Sequence, residues 1–317
     1  MAEALYPLLL NAALKTRVWG GRKLETVMGK TLPTAEPYGE SWELHDSATV
    51  ANGVLAGRSV GELVAEYGSA LIGEANNPAD GFPLLAKFLD AADWLSIQVH
   101  PNDVQAQRLE GQPRGKTEAW VVLQTEPNAK MIIGLQPNTS RETLADAIRS
   151  GALEPYLVYA EVRAGDVLLL EANTVHALGP GLLIYEIQQS SDVTYRLYDW
   201  NRMGLDGKPR EMHLDKGLEV ANLTYLPTVQ HPEQTLPEFA VVESHYFKTT
   251  HCHLDETVLT FRGEGRFHVL TCVNGQVNVM ATTGEVAFGV GQTVLIPANI
   301  SSYQLSGRGD VLRSWQP

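Results

Sequence analysis

Two stretches of this chain share a pattern that restricts how it can fold. The first runs from Ala164 to Leu178 and the second from Val290 to Gln304. In each stretch a glycine precedes an apolar run, and an Ala-Asn pair follows it. This order is typical of a hairpin-like unit of a β-barrel, in which one turn leads into a strand and another leads out. The repeat therefore predicts that a β-barrel unit occurs twice.

The rest of the sequence favours the same class of fold. Most apolar segments are short, rich in Val, Ile, Leu and Tyr, and bounded by Gly, Pro, Asn or Asp, as β-strands are. Helical periodicity occurs in Val60–Tyr67 and in Ser140–Ile148, where Ser140 provides N-cap chemistry without a full capping box. We therefore predict a mainly β protein of two β-barrels with a few attached α-helices, divided into residues 1–235 and 236–317.

Charge and cysteine content restrict the partners of the protein. The formal net charge of −13 argues against a nucleic-acid surface but allows a small phosphorylated ligand, which needs only a few local cations. Cys252 and Cys272 form no Cys-x-x-Cys pattern, so we expect buried thiols rather than a disulfide or a thiolate zinc site. The apolar run Leu5–Asn11 is too short to span a bilayer and lacks the features of a signal peptide, which predicts a cytoplasmic protein without membrane contact.

Four polar side chains lie in or beside apolar runs and are candidates for a metal site. Gln98 and His100 are two residues apart, so on a strand they project from the same face. Glu118 begins the next apolar run, and His176 supplies a second imidazole. Two imidazoles and a carboxylate suit Zn²⁺, Fe²⁺ or another divalent first-row ion. Considered alone, however, a buried histidine is usually a core residue bonded to the backbone, and Glu118 is equally consistent with a strand-edge charge.

The two copies of the repeat differ at the candidate ligands. When the copies are aligned, His176 falls opposite Ser302 and Glu118 falls opposite Gly265. The second copy has therefore lost both residue types that would bind a metal. We predict a metal-binding barrel in the N-terminal domain and a degenerate barrel without metal ligands in the C-terminal domain.

Several motifs resemble those of one enzyme family. The segment from Gly165 to His176 resembles the second cupin motif. The ordered set resembles the type I phosphomannose isomerases in their shorter bacterial form, and it consists of Leu95–Pro101, Gly115–Trp120, Asn173–Ala177 and Gln188–Arg196. The resemblance is strong from about Trp19 to Arg202 and reaches the C-terminal third only through the barrel repeat. It implies a cupin fold, with jelly-roll barrels.

The resemblance also implies an activity and a set of functional residues. It implies the interconversion of mannose 6-phosphate and fructose 6-phosphate through a cis-enediol, with one Zn²⁺ or other divalent ion per chain. The implied metal ligands are His100, Glu118 and His176, with Gln98 in the fourth position of the longer family members. The implied catalytic residues are Arg196 and Lys116, and the positions associated with the sugar phosphate are Ser96 and Lys87.

The sequence leaves the chemical roles of several residues open. The base that removes the carbon-bound proton is Lys116, with its pKa lowered by a nearby metal and Arg196, or a zinc-bound water, or another carboxylate. Lys116 is also consistent with a solvated lysine in a turn. Arg196 is also consistent with an ion pair to Asp192 or Asp199, and Lys87 with a side chain that extends outward to solvent.

Two other classes of function fit the same ligand set. One is a different cupin metalloenzyme, such as an iron-dependent oxygenase, although that class gives no reason for Gln98, Lys116 and Arg196 to gather around a metal. The other is a sugar-binding protein that is stabilised by a metal and has no turnover. A fold alone does not separate these classes, because cupins support many activities. The expected partner is a small sugar phosphate, and the sequence leaves the oligomeric state open.

Overall fold

The protein is described from a computed structural model that covers residues 3–233 and 236–317. In this part of the chain the strands up to the end of the first barrel are β1 (Leu8–Asn11), β2 (Ala13–Gly21), β3 (Tyr38–Leu44), β4 (Thr49–Val50), β5 (Leu84–Ala91), β6 (Ile97–Val99), β7 (Glu118–Thr125), β8 (Lys130–Leu135), β9 (Leu157–Glu161), β10 (Val167–Leu170), β11 (Ala177–Leu178), β12 (Leu182–Gln189) and β13 (Tyr195–Tyr198). The remaining strands are β14 (Glu238–Glu243), β15 (Lys248–Asp255), β16 (Leu259–Arg262), β17 (His268–Ala281), β18 (Gly284–Gly289), β19 (Thr293–Ile296) and β20 (Ser302–Trp315).

Helices connect the strands of the N-terminal two thirds of the chain. The α-helices are α1 (Lys23–Thr26), α2 (Val60–Tyr67), α3 (Ser69–Ile72), α4 (Asp103–Glu110), α5 (Arg141–Ser150) and α6 (Leu214–Val220), and single 3₁₀ turns occur at Pro78–Asp80 and Glu154–Tyr156. The prediction of a mainly β protein with a few helices is confirmed. Among the described residues, none of the helices has the length and apolar character that crossing a bilayer requires.

The first barrel is formed by a six-stranded sheet packed against two smaller sheets. The six-stranded sheet has the order β10-β7-β12-β5-β2-β3, and the smaller sheets are β11-β8-β9 and β13-β6. Strand β7 shows how one strand serves two cores. Trp120 and Val122 point into the barrel, where they pack with Met131 of β8, while Ala119 and Val121 belong to a different core on the outer face. Side chains alternate between the faces of a strand, so a strand buried on both sides is continuously apolar.

The second barrel is formed by a nine-stranded sheet. Its order is β14-β15-β20-β17-β19-β1-β4, and β16 and β18 pair with β20 and β17. Two of these strands, β1 and β4, come from the N-terminal region. They join the sheet through the pairing of Leu8 of β1 with Leu295 of β19 and of Leu10 with Val50 of β4. The sheet therefore joins residues from both sides of the predicted domain boundary. That boundary, after Thr235, lies outside the described residues, and the division into 1–235 and 236–317 stays a prediction.

A shared core joins the two barrels. One cluster of buried residues contains Phe88 and Ile187 of the first barrel together with Phe267 and Leu295 of the second. The rings of Phe82 and Phe267 lie 4.7 Å apart across this contact. The second barrel thus covers the apolar outer face of the six-stranded sheet, which would otherwise be exposed to water.

Both helices predicted from periodicity are present. Helix α2 has the predicted bounds, and Ser59 and Glu62 form a capping box at its start. Helix α5 begins after Ser140, whose side chain accepts a hydrogen bond from the backbone N–H of Thr143. The prediction of N-cap chemistry at Ser140 is confirmed. The expectation of buried, unpaired thiols at Cys252 and Cys272 is also confirmed.

The structure corrects one part of the repeat alignment. Strands β10 and β19 do correspond, since each follows a glycine with positive φ, Gly165 and Gly291. However, Glu118 pairs with Leu170 at the end of β10, and the residue that pairs with the equivalent Ile296 is His268. The counterpart of Glu118 is therefore His268, and the alignment to Gly265 was wrong. Strand register sets this correspondence, and it does not depend on equal spacing along the sequence.

Candidate active site

The predicted metal ligands lie together in the interior of the first barrel. His100 follows β6, Glu118 opens β7, and His176 precedes β11. One potential ligand atom from each residue lies within 4.8 Å of the others, and all three side chains are buried. The approach of β6 to the segment before β11 is fixed by a pair of backbone hydrogen bonds between Gln98 and His176, both 3.0 Å long. Residues distant in sequence thus reach one point.

Backbone carbonyls orient both imidazoles toward Glu118. Nδ1 of His100 lies 2.9 Å from the carbonyl oxygen of Val193, and Nδ1 of His176 lies 2.8 Å from that of Thr174. A hydrogen on each Nδ1 is then donated to the carbonyl, which leaves the lone pair of each Nε2 for a metal. The Nε2 atoms of His100 and His176 lie 3.6 Å and 3.2 Å from the carboxylate of Glu118.

The protonation states of these groups suit metal binding. Burial, reinforced by the charge of Lys116, lowers the pKa of His100 well below its usual value, so its imidazole is neutral. Burial acts to raise the pKa of Glu118, but Lys116, His176 and His100 outweigh it and hold that pKa well below the usual range. Neutral imidazoles and an ionised carboxylate are the forms that bind divalent cations.

The donor set fits a divalent first-row metal such as Zn²⁺. Neither buried oxygen of Glu118 has a hydrogen bond of normal geometry within the described chain, although Lys116 and His176 lie within ion-pair distance of it. A buried carboxylate without hydrogen bonds is costly unless a cation compensates it. Two nitrogens and one oxygen leave further coordination positions open, as in catalytic zinc sites.

Gln98 lies beside the ligand set. Its Nε2 is 3.4 Å from Nε2 of His176, and its Oε1 accepts a hydrogen bond of 3.2 Å from the hydroxyl of Ser96. Ser96, Gln98 and His100 therefore line one edge of the site, as the alternation along the strand predicts. Direct ligation of a metal by Gln98 stays a prediction.

Lys116 is buried at the centre of the site. Its Nζ lies 2.7 Å from Oε2 of Glu118 and 3.3 Å from Nε2 of His100, and only 5% of the residue is exposed. The interpretation as a solvated lysine is therefore wrong. Burial acts to lower the pKa of Lys116, but the charges of Glu118 and Glu186 outweigh it and raise that pKa. The sequence-based expectation of a lowered pKa rested on a bound metal and Arg196, whereas the nearest charges of the chain itself are carboxylates.

A cavity of about 560 Å³ opens beside the ligand set and brings the remaining predicted residues together. It is lined by Lys87, Ser96, Gln98, Lys116 and Arg196, among others. A cavity of this size accommodates a small metabolite. The predicted catalytic and substrate residues therefore surround a single space.

Arg196 contributes a cation to the wall of this cavity. It forms no ion pair within the described chain, and Asp199 instead binds Arg202 and Arg210. One terminal nitrogen of Arg196 donates to the carbonyl oxygen of Glu211 at 2.7 Å, while its buried Nε has no partner in the described chain. The alternative of an ion pair with Asp192 or Asp199 is thus not what the structure shows.

Glu186 lines the same cavity, and sequence reasoning missed it. Its carboxylate lies 3.2 Å from Nζ of Lys87 and accepts a hydrogen bond of 2.9 Å from the indole of Trp120. The ammonium of Lys87 also lies 5.1 Å from the centre of the Trp42 ring, so this lysine does not extend outward to solvent. The missed signal was a glutamate two residues before Gln188 in the apolar run of β12, the same spacing that identified Gln98 and His100.

Glu40 is a second carboxylate in the wall that sequence reasoning did not assign. Arg17 binds it through two nitrogens, at 2.7 Å and 3.1 Å, and the indole of Trp42 donates to it at 2.6 Å. Burial acts to raise the pKa of Glu40, but Lys87 and Arg17 outweigh it and lower that pKa to about 2. The cavity therefore combines fixed cations with fixed carboxylates, an arrangement suited to a polar, charged ligand.

Comparisons with known proteins agree with this geometry. Residues 8–129 match the family model described as phosphomannose isomerase type I, catalytic domain, and residues 238–316 match mannose-6-phosphate isomerase, cupin domain. The mannose-6-phosphate isomerase ManA of Bacillus subtilis (strain 168) is 33% identical over 316 residues, covering 97% of this chain and 98% of the relative.

Further relatives extend the match over the whole length. The mannose-6-phosphate isomerase of Streptococcus mutans serotype c (strain ATCC 700610 / UA159) is 33% identical over 322 residues, covering 99% of this chain and 98% of the relative. The crystal structure of mannose 6-phosphate isomerase from Bacillus subtilis superposes with a TM-score of 0.86 at 28% identity, covering 97% of this chain and 99% of that one. These matches confirm the predicted cupin fold, and the chain belongs to the type I phosphomannose isomerase family.

Proposed function

We propose that this enzyme interconverts mannose 6-phosphate and fructose 6-phosphate, with one divalent metal held by His100, Glu118 and His176. The observation that carries the proposal is the buried site of two histidines and a glutamate, which opens onto a cavity containing Lys116 and Arg196. Zn²⁺ is the metal we propose, because nitrogen and carboxylate donors with open positions suit it. When bound, it would act as a Lewis acid on the sugar oxygens.

The reaction requires a proton to move between C1 and C2 of the sugar. Negative charge develops on the oxygens at these carbons in the enediol, so fixed cations near them stabilise the transition state. We assign this task to Arg196, which is always charged and whose Nε has no protein partner in the described chain. Arg196 would therefore stabilise negative charge that appears on the sugar oxygens only during the reaction.

Two residues of this chain are candidates for the proton transfer. Lys116 lies 2.7 Å from Glu118, and Glu186 places a carboxylate group in the same cavity. A base has to be deprotonated, which favours Glu186 as the acceptor and Lys116 as a donor to oxygen. Loss of solvent deuterium exchange at C2 in E186Q, with exchange retained in K116Q, would support this division. The reverse pattern would assign the base to Lys116.

We keep Lys87 and Ser96 as residues for the sugar phosphate. Both line the cavity, but the ammonium of Lys87 is already 3.2 Å from Glu186. A phosphate that binds Lys87 has to compete with this carboxylate. We therefore expect K87Q to raise KM for fructose 6-phosphate while also changing kcat, since it removes the cation that lies 3.2 Å from Glu186.

A coupled assay separates this function from the alternatives. The enzyme is stripped with a chelator, given Zn²⁺ or Fe²⁺, and supplied with fructose 6-phosphate. Metal-dependent formation of mannose 6-phosphate supports the isomerase. Oxygen consumption with Fe²⁺ would support the cupin oxygenase, and metal binding without turnover would support a non-catalytic sugar-binding protein. We also propose a cytoplasmic location, because the charge of a sugar phosphate keeps it on the side of the membrane where it is made.

A further inference from the structure

The second barrel contains a cavity of its own, on the side of the sheet where β16, β17 and β20 meet. Its volume is about 580 Å³, close to that of the catalytic cavity. His268 lies in its wall, and this histidine occupies the position in the second barrel that Glu118 occupies in the first. The duplicated fold thus has a cavity at the equivalent place, without the metal ligands.

The cavity is strongly cationic. Its charged side chains are those of Lys248, Arg262, Arg266 and Arg313 and the carboxylate side chain of Glu264, and Pro317 also lies in the wall. This local excess contrasts with a net charge of −13 for the whole chain. Like charges that lie close together repel one another, so this local excess favours the binding of an anion.

Two of these cations have carboxylate partners and two do not. Lys248 pairs with Glu243, and Arg313 donates to Glu238 at 2.7 Å. Arg262 and Arg266 form no ion pair within residues 3–233 and 236–317. Their guanidinium groups are therefore available to a ligand that enters the cavity.

Aromatic rings hold the deepest cation in place. The guanidinium of Arg313 lies 4.5 Å from the centre of the Phe261 ring and 4.1 Å from that of Trp315. Its Nε is buried and has no hydrogen-bond partner in the described chain. A guanidinium fixed between two rings loses little conformational freedom when it binds, which favours recognition of an oxyanion.

His268 adds an uncharged imidazole to the same wall. The hydroxyl of Tyr303 lies 2.8 Å from its Nδ1, and when this hydroxyl donates, the hydrogen of the ring stays on Nε2. Burial and the charges of Arg313 and Arg266 lower the pKa of His268 to about 3, so the ring is uncharged. The wall therefore combines guanidinium groups with an uncharged imidazole ring.

We propose that this cavity binds small molecules that carry a phosphate group, with Arg262, Arg266 and Arg313 as the recognition residues. A phosphate carries up to two charges and three acceptor oxygens, whereas a carboxylate carries one charge and two oxygens. Several guanidinium groups in the wall of one cavity match the phosphate better. The site is separate from the catalytic cavity, and this inference does not depend on the proposed reaction.

Calorimetric titration of the full-length enzyme with inorganic phosphate tests the proposal. The test variant is R262A/R266A, which removes two exposed cations without an ion pair in the described chain. The control is R308A, an exposed arginine of the same barrel that pairs with Asp255 and Glu256 and lies outside the cavity wall. We expect the native enzyme and R308A to bind one more phosphate per chain than the double variant, or to bind it at least about tenfold more tightly.

Parallel titrations identify the ligand class. Fructose 6-phosphate and malonate are used at the same ionic strength as phosphate. Tighter binding of the sugar phosphate at the Arg262 and Arg266 site indicates a phosphorylated metabolite, and equal binding indicates free phosphate. The proposal is overturned if R262A/R266A and native enzyme give the same isotherm, if R308A loses as much binding, or if malonate binds in preference to phosphate.

Discussion

At the scale of single residues, the site is defined by polar groups that are buried in the interior of the first barrel. His100, Glu118 and His176 are each buried, and each imidazole has its Nδ1 fixed by a backbone carbonyl. The side chains are therefore oriented before a metal arrives. This arrangement lowers the entropic cost of binding and makes the role of each residue testable by a single substitution.

We expect H176A to lose its metal. The substitution removes one of two nitrogen donors and leaves Glu118 buried beside a space, so affinity falls by at least about a hundredfold. Metal content after dialysis against a weak chelator measures this. The matched control is H245A, an exposed histidine outside the site, which should retain one metal per chain. Full metal content in H176A would contradict its assignment as a ligand.

We expect R196A to keep its metal and to lose most of kcat. Arg196 lines the cavity but is not part of the ligand set, and removal of one group that stabilises transition-state charge costs roughly 10²–10³ in kcat. Steady-state kinetics together with metal analysis test both halves of the prediction. R149A, an exposed arginine of α5, provides the control. A variant with full kcat would remove Arg196 from the catalytic role.

At the scale of secondary-structure elements, local signals predicted some helices well and others not at all. Helix α2 was found at its predicted bounds because apolar periodicity and capping residues agree there. Helix α4 was missed because it is mostly polar, and only Ala106 is buried. Its signals were a capping box, with Asn102 and Gln105 bonded reciprocally, and the closing Gly111. Caps therefore define this helix more clearly than periodicity does.

The capping box of α2 gives a prediction at this scale. In S59A the backbone N–H of Glu62 loses its acceptor, which lies at 3.2 Å, so we expect the free energy of unfolding to fall by about 1 kcal/mol. Urea unfolding followed by circular dichroism measures the change. S301A removes an exposed serine hydroxyl outside any helix and should unfold like the native chain. Equal midpoints for S59A and S301A would contradict a stabilising cap.

At the scale of the whole molecule, the two barrels share a core and a sheet. Strands β1 and β4 of the N-terminal region complete the sheet of the second barrel, and Phe267 packs against Phe82 across the contact. Burial of this surface couples the two halves energetically. Stability is therefore a property of the complete chain, and buried ionisable groups in either barrel affect it.

The buried His268 predicts how stability depends on pH. Its pKa falls from 6.5 in the unfolded chain to about 3 in the folded one. The unfolded chain therefore binds a proton at His268 that the folded chain excludes. The contribution of the neutral His268 to the free energy of unfolding is fully present above pH 6.5 and is lost as pH falls toward 3. When the pH falls from 7 to 5, we expect the free energy of unfolding of H268Q to decrease by about 2 kcal/mol less than that of the native enzyme. Urea unfolding in phosphate-free buffer tests this.

The exposed His245 supplies the control for that measurement. H245Q should follow the native pH dependence, because the side chain lies in solvent and forms no hydrogen bond in the described chain. The effect on H268Q is read as a difference between two proteins at the same pH. Loss of a bound metal at acid pH affects both proteins alike and cancels. Parallel curves for H268Q and the native enzyme would contradict the exclusion of the proton.

The sequence by itself determined the features that depend on neighbours a few positions away. These are the shared face of Gln98 and His100, the helix bounds at α2 and the turn glycines of the repeat, since strand alternation and caps act over short distances. Only the tertiary structure decided which distant groups meet. Strand register placed His268 opposite Ile296, and the approach of β12 brought Glu186 to Lys87 and, with Glu118, raised the pKa of Lys116. Such charges and registers depend on chain segments far apart in sequence, which no local pattern encodes.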